Sequence, residues 1–340
     1  MRAAVLHKPK DIRLETVADP ISKANHVIVH VEAVGVCGSD LPRMLIKGAH
    51  KMPLICGHEF CGKITEIGEG VKGYSVGELV AIPPMLPCME CDQCAIGNFS
   101  RCRNYDYFGS RRDGAYAEFV SVPVSNLLKT PAGIDPRAVA MVDPASIALH
   151  AIWKAGGVSI GQRGGTIGCG PIGLFAIQWL KLMGASDVVA VDVSKRKLEL
   201  AKQAGATHTF LAGEEIPAEL RCDVIIEAAG HPSSVNAAVN MAAPAGHVVF
   251  IGIPVGDINL ANKTFQHFLR QEVSLHGSWN SFGAPFPGPQ WTVTLDKLGS
   301  GELKWEFMIS HDLGLEELPN MFEKLATDRG MFFSKIMFRP

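Results

Sequence analysis

Four of the nine cysteines fall in one tight run, Cys88-x2-Cys91-x2-Cys94-x7-Cys102. Four thiolates on a short lobe can close tetrahedrally around Zn²⁺ at about 2.3 Å each, with no position left open, so this spacing predicts a structural zinc site. An iron–sulfur cluster is the weaker alternative on ligand type alone. The other five, Cys37, Cys56, Cys61, Cys169 and Cys222, are scattered. An odd total without a secretion signal argues against a disulfide framework.

A second constellation is chemically different. Cys37-Gly38-Ser39-Asp40 follows one Val/Ile-rich run, and Gly57-His58-Glu59 precedes another. A thiolate, an imidazole and a carboxylate brought together from separate strand ends make a mixed S/N/O ligand set that leaves room for a substrate oxygen. Asp143 could add a further oxygen, and Mn²⁺ or Fe²⁺ could take such ligands in place of zinc. Taken singly, each residue is more often ordinary: a buried cysteine, a core histidine, a solvated glutamate.

A third signal is Gly168-Cys169-Gly170-Pro171-Ile172-Gly173, a G-x-G-x-x-G sequence that follows a predicted strand and opens a predicted helix. The first glycine permits the tight turn, the second admits a pyrophosphate, and the third lets helix and sheet pack closely. The helix N-terminus adds free N–H groups and partial positive charge for phosphates. Asp192 ends the next strand, nineteen residues after Gly173. Its carboxylate suits the ribose hydroxyls of NAD and repels a 2′-phosphate. Lys197, one helical turn on, could close over that ribose.

Positioning these groups needs a large scaffold. The chain has 340 residues, 47% hydrophobic and 19% charged, enough for a packed interior and long enough for two domains. Lys plus Arg is 32 and Asp plus Glu 34, so no basic surplus points to nucleic acid. The long uncharged stretches are broken by Pro171 and by Pro285, Pro287 and Pro289, so no membrane span is predicted. Residues 1–17 lack a signal-peptide core, and a cytoplasmic location is expected. Residues 3–6, 26–34, 62–67 and 78–82 read as short strands punctuated by Gly and Pro, which suggests a barrel-like domain. From about residue 160 strands and helices alternate: strands over 163–168, 188–192, 223–228, 247–253 and 273–277, helices over 172–183, 195–204 and 233–243. That is the pattern of a parallel sheet with helices on both faces. Helices over 290–298 and 315–326 and a strand over 334–338 complete the reading.

In order and spacing, these motifs resemble the zinc-dependent medium-chain dehydrogenase/reductase superfamily over essentially the whole chain. The carrying segments are Val36-Cys37-Gly38-Ser39-Asp40, Gly57-His58-Glu59-Phe60-Cys61-Gly62, the cysteine quartet, Asp113-Gly114-Ala115-Tyr116-Ala117-Glu118-Phe119, the glycine loop and Asp192. The resemblance implies an α/β protein: a GroES-like β-barrel catalytic domain over 1–140 and 280–340, with a zinc lobe at about 84–104, and a Rossmann doubly wound domain over 141–279. It implies NAD and two Zn²⁺ per chain. Cys37, His58 and Glu59 would hold the catalytic zinc, and Asp143 stands where the family has a glutamate one methylene longer. Such an aspartate either shifts the metal or acts through water.

Within the superfamily the chain is similar to the polyol dehydrogenase branch, and to its polyol-phosphate members, through residues 37–43, 108–114 and 277–280. This implies hydride transfer to NAD⁺ from a secondary hydroxyl of a sugar-alcohol phosphate, such as galactitol 1-phosphate or an arabitol phosphate, giving a ketose phosphate. Ser39 would take the hydroxyl proton, and Glu59 could exchange with water on zinc. Pro42 lies in the region where many relatives carry a relay histidine, with His50 a possible stand-in. Arg43 would grip the phosphate, with Arg111 and Arg112 as further candidates, because a guanidinium binds phosphate bidentately. Their ordinary role would be salt bridges. Asn280 would bond substrate hydroxyls. Rival readings are a free-polyol (sorbitol or xylitol) or L-threonine dehydrogenase, and an inactive NAD-binding structural or sensor protein. A thiol oxidoreductase is disfavoured by the metal spacing of the quartet. The relatives' habit implies a homodimer or homotetramer.

Overall fold

The computed structural model describes residues 1–328 and 330–340. The chain divides into two compact units, Met1–Asp143 with Phe282–Pro340, and Pro144–Ser281.

The first unit is built on strand His26–Gly35, which is hydrogen-bonded along both edges. One edge carries strand Glu59–Ile67, antiparallel. The other carries Phe119–Pro123 along its first half and Lys335–Arg339 at its end. A smaller antiparallel sheet, Asp11–Thr16, Arg2–Lys8 and Leu54–Ile55, lies in the same unit. Val27, Val29, Val31, Ile64, Val120 and Phe338 belong to one apolar core. Burial on both sides of the central strand replaces the strict alternation of a one-faced sheet.

Register then brings the chemistry together. Gly35 pairs with Glu59 at the end of the two long strands. Cys37 therefore emerges just beyond one strand as His58 and Glu59 enter the other. Gly35 also pairs with Met337, and Val36 N–H donates to Ile336 O at 2.9 Å, which carries Lys335 to the same end. The cysteine lobe is irregular, with one turn of helix at Asp92–Ala95 and a 3₁₀ turn at Phe99–Arg101. Phe99 packs edge-on to Phe286 at 5.6 Å, and Ser100 Oγ exchanges hydrogen bonds with the backbone of Phe282. These contacts tie the lobe to the returning C-terminal segment.

The second unit is a six-stranded parallel sheet in the order His208–Leu211, Val188–Asp192, Gly164–Ile167, Cys222–Glu227, Ala242–Phe250, Ser274–Gly277. The strand order reverses beside Gly164–Ile167, and the loop after that strand is where such sheets take ligands. Strand Val188–Asp192 is buried at every position, as a central parallel strand should be. Helix Lys195–Gln203 is capped by Ser194 and followed by Gly205 at φ +105°.

Several elements differ from the sequence reading. Strand His208–Leu211 was not anticipated, because all its residues are half-buried and show no period of two. Helices Val142–Lys154 and Asn262–Arg270, and strands Asp11–Thr16 and Ile309–Gly314, were also missed. The strand anticipated from 247 begins at Ala242, and the helix anticipated from 315 opens with a 3₁₀ turn before Leu318–Thr327. Among the described residues no helix is long and apolar enough to cross a membrane.

Candidate active site

Ligand atoms of Cys37, His58 and Glu59 all lie within 4.8 Å of one another. His58 and Glu59 are buried at 4% and 2% exposure. Gly57, at φ +89°, makes the turn into this pair, and a Cβ there would lie 2.7 Å from the Tyr116 ring. A side chain at residue 57 would therefore push the histidine off its mark.

Behind these three side chains stands Asp40, fully buried. It accepts from Cys37 N–H at 3.1 Å and Tyr116 OH at 3.1 Å, and is ion-paired with Arg43. Its Oδ1 lies 3.5 Å from His58 Nδ1. Burial alone would raise the Asp40 carboxyl. The charge and hydrogen bond of His58, then Arg43 and the Cys37 N–H, outweigh it and bring the pKa down to about 2. An anion facing Nδ1 would leave Nε2 to face a metal, as in the usual carboxylate–histidine–metal arrangement. Burial opposes protonation of His58, but the charges of Asp40 and Cys37 raise its pKa well above the usual histidine range.

The carboxylate of Glu59 is ion-paired with Lys335, whose ammonium also donates to Val36 O at 3.2 Å. Asp143, anticipated as a further ligand, is buried at 3% exposure but is not in the three-residue group. Burial, reinforced by the negative charges of Glu59 and Asp40 and offset by His58 and Lys335, raises its pKa to about 7. Tyr107 lies edge-on to His58 with ring centroids 5.7 Å apart. Burial first, then the charges of Asp143, Cys37 and Glu59, hold its hydroxyl protonated.

The donor set suits zinc in both places. In the lobe all four cysteine sulfurs lie within 4.8 Å of one another, with Cys88 Sγ 3.4 Å from that of Cys102 and 4.0 Å from that of Cys94. A tetrahedral Zn–S₄ site at the usual bond length needs sulfurs about 3.8 Å apart. Hydrogen bonds from the backbone of Arg103 and Cys94 lower the Cys91 thiol to about 6.

The remaining anticipated residues scatter. Ser39 is half-buried and begins the short helix Asp40–Pro42 without spending its hydroxyl on a cap. Arg43, read as the phosphate grip, is committed to Asp40, with 17% of its side chain exposed. Arg112 ion-pairs with Asp106 at 3.3 Å. Arg111 is exposed, lies over the Tyr105 ring at 4.7 Å, and has no ion pair among the described residues. Tyr105 is in turn edge-on to Tyr107 at 6.2 Å. His50 is exposed. Asn280 belongs to the second unit, half-buried, at φ +54°.

The second unit carries the nucleotide loop. Gly168 has φ +93°, open to few residues but glycine. A Cβ on Gly173 would collide with Gly168 O, so helix Pro171–Leu182 can pack only with glycine there. Beside Gly170 a Cβ would meet nothing within 4 Å, leaving open space at the helix N-terminus. Pro171 and Ile172 form its first turn, and no side chain caps it. Asp192 accepts from Cys169 N–H at 2.7 Å and Ser194 N–H at 2.8 Å, fastening the loop to the strand end. Lys197 is half-buried in the first turn of helix Lys195–Gln203. Glu227, not anticipated, accepts from the Ala229 and Gly230 N–H groups and from Ser234 Oγ at 2.6 to 3.0 Å and shapes the neighbouring loop.

Comparison with known proteins agrees with this geometry. Residues 23–132 match the family described as alcohol dehydrogenase GroES-like domain, and residues 171–288 match zinc-binding dehydrogenase. The chain is 36% identical to galactitol 1-phosphate 5-dehydrogenase of Escherichia coli K12, over 96% of each chain. This chain is a zinc-dependent medium-chain dehydrogenase. As a member of the polyol dehydrogenase branch it combines the GroES-like domain with a Rossmann-like parallel sheet. The solved galactitol-1-phosphate dehydrogenase from Escherichia coli superposes on this dehydrogenase at a TM-score of 0.94 with 35% identity, covering all of both chains. A putative zinc-binding dehydrogenase from Sinorhizobium meliloti 1021, solved bound to NADP, gives 0.90 at 28% identity over 100% and 99% of the two chains.

Proposed function

We propose that this dehydrogenase oxidises a secondary hydroxyl of a sugar-alcohol phosphate with NAD⁺, releasing a ketose phosphate. The end-to-end likeness to galactitol 1-phosphate 5-dehydrogenase carries the substrate class. Asp192 carries the choice of NAD⁺, since a 2′-phosphate would meet a carboxylate already fixed by two backbone N–H groups.

Cys37, His58 and Glu59 would hold a zinc ion, which supplies Lewis acidity toward the hydroxyl that is oxidised. The chain's own residues do the rest. Asp40 fixes the His58 ring and its metal-facing nitrogen. Ser39, two residues from Cys37, is the first proton acceptor in this reading. The open space at Gly170 and the N–H groups of helix Pro171–Leu182 take the pyrophosphate. Arg111 replaces Arg43 as the favoured phosphate partner, being uncommitted among the described residues and linked to His58 through the Tyr105 and Tyr107 rings. Arg43 becomes a positioning residue for Asp40. Asp143 as a ligand through water, Asn280 on substrate hydroxyls, Lys197 over the ribose, zinc in the cysteine lobe, a cytoplasmic location and a homo-oligomer complete the proposal.

The test is a panel of kcat/KM values for galactitol 1-phosphate, arabitol phosphates, galactitol, sorbitol, xylitol and L-threonine, each with NAD⁺ and NADP⁺. The proposal requires the highest value for a phosphate ester with NAD⁺. A higher efficiency on a free polyol or L-threonine removes the phosphate from the substrate, and a preference for NADP⁺ removes the argument from Asp192.

A further inference from the structure

Lys335 is a lysine with 1% of its surface exposed, an uncommon place for an ammonium unless it is paired. Its partners are the Glu59 carboxylate and Val36 O. The fold makes room for that contact. Gly35 faces it from the central strand, where a Cβ would fall 2.6 Å from Glu59 Oε2 and 2.8 Å from Lys335 Nζ. Gly35, two residues before Cys37, is also where the strands carrying Glu59 and Lys335 share register with the central strand. Lysine and metal-ligating glutamate are therefore built against each other by the sheet itself.

We infer that Lys335 is a positioning residue that shares the Glu59 carboxylate with the metal and makes the metal centre more electropositive than its carboxylates and thiolate would leave it. The inference rests on the proposed zinc site at Cys37, His58 and Glu59. Its physical content is a charge count. A zinc ion with one thiolate, one carboxylate and a neutral imidazole forms a neutral centre. Asp40 and Arg43 cancel each other nearby. Lys335 adds one positive charge to the cluster in a closed interior, where charge acts more strongly than in water, and it opposes the negative charge that Asp143, buried beside the same groups, adds when ionised. Such a centre holds its ion less tightly than it could, and draws electron density from a hydroxyl more strongly.

Loss of Lys335 should act with the opposite sign to loss of ordinary support. A merely structural second layer of contacts, when removed, weakens metal binding by about 10- to 100-fold. Removing Lys335 should strengthen it, because Glu59 is then given wholly to the metal. The experiment measures zinc affinity of the second site by competition with a chromophoric chelator, using the full-length protein. It also records the visible d–d spectrum after Co²⁺ substitution. Lys335→Met should bind zinc about tenfold more tightly or better and shift the Co²⁺ bands as the carboxylate turns to the metal. Lys335→Arg, which keeps the charge, should restore the wild-type affinity and spectrum. Glu59→Gln should weaken binding, and the double variant Glu59→Gln/Lys335→Met should lie closer to wild type than Glu59→Gln alone. Weaker binding in a folded Lys335→Met, or an affinity in Lys335→Arg that follows Met instead of Lys, overturns the inference. If Lys335→Met does not fold, Lys335→Gln, which removes the charge but keeps a hydrogen-bond donor, takes its place: tighter zinc binding supports the inference and weaker binding overturns it. A wild-type protein that binds one metal only, or a Cys37→Ser variant that keeps two, overturns the zinc site itself and is distinguishable from failure of Lys335.

Discussion

Asp40 offers the sharpest test of how the site is held. It is fully buried and meets four groups: the Cys37 N–H, the Tyr116 hydroxyl, the Arg43 guanidinium and the His58 ring. Asp40→Ala leaves Arg43 charged, largely buried and without its carboxylate. Breaking a buried pair from one side costs about 3–5 kcal/mol of stability. The same change frees the His58 ring, and loss of a carboxylate behind a ligating histidine weakens metal binding by about 10- to 100-fold. Asp40→Asn keeps the shape and removes the charge, so its stability cost should be smaller, about 1–3 kcal/mol. Urea unfolding and zinc content measured on the same samples separate these effects. The expected pattern is loss of one zinc per chain, with the cysteine-lobe zinc retained, and a stability order of wild type, Asn, then Ala. An Asp40→Ala protein with both zincs and stability within about 1 kcal/mol of wild type would contradict the network.

Three further outcomes follow from the same geometry. Arg111→Ala should raise KM for a polyol phosphate by about tenfold or more while leaving a free polyol nearly unchanged, whereas Arg43→Ala should impair both equally because it acts through Asp40; steady-state kinetics on the two substrates decide. Asp192→Ala should cut kcat/KM with NAD⁺ while improving relative use of NADP⁺, since it removes the ribose acceptor and unfastens the Cys169 N–H; an unchanged cofactor ratio refutes that role. Burial, with help from Lys154, lowers the His150 pKa from 6.5 to about 4, so the folded protein keeps this ring neutral where the unfolded chain protonates it. Its contribution is present above pH 6.5 and is lost as pH falls toward 4, by up to about 3 kcal/mol; denaturation of His150→Gln across that range should show a flatter dependence, and an unaltered slope counts against it.

The parts of the site that were legible in the sequence are those whose partners are close in the chain. The cysteine quartet spans fifteen residues, and the glycine loop with Asp192 forms one strand–helix–strand unit, so spacing alone carries the chemistry. Residues recruited through tertiary register were invisible. Lys335 meets Glu59 across 276 positions, and Tyr116 meets Asp40 across 76, with no local pattern to announce either. The Arg43–Asp40 pair is a different case. Asp40 and Arg43 are three apart, and that spacing on a helix brings their side chains together, so the pair could have been anticipated once residues 40–43 were given helical form. In the fold, the fully buried Val188–Asp192 was easy to find, while the half-buried His208–Leu211 gave no periodic signal. Helix Asn262–Arg270 was missed although Thr264 is its sole fully buried residue, because its apolar positions are too few to stand out against Asn, Lys, Gln and Arg.

The central claim is that Cys37, His58 and Glu59 converge on one reactive metal, separate from the metal of the cysteine lobe. Anomalous X-ray diffraction from crystals of the purified protein, recorded on both sides of the zinc absorption edge, reads this directly. Two zinc peaks per chain are predicted, one enclosed by Cys88, Cys91, Cys94 and Cys102 and one in contact with Cys37 Sγ, a His58 ring nitrogen and a Glu59 oxygen. A single peak, confined to the cysteine lobe in catalytically active crystals, would contradict the account.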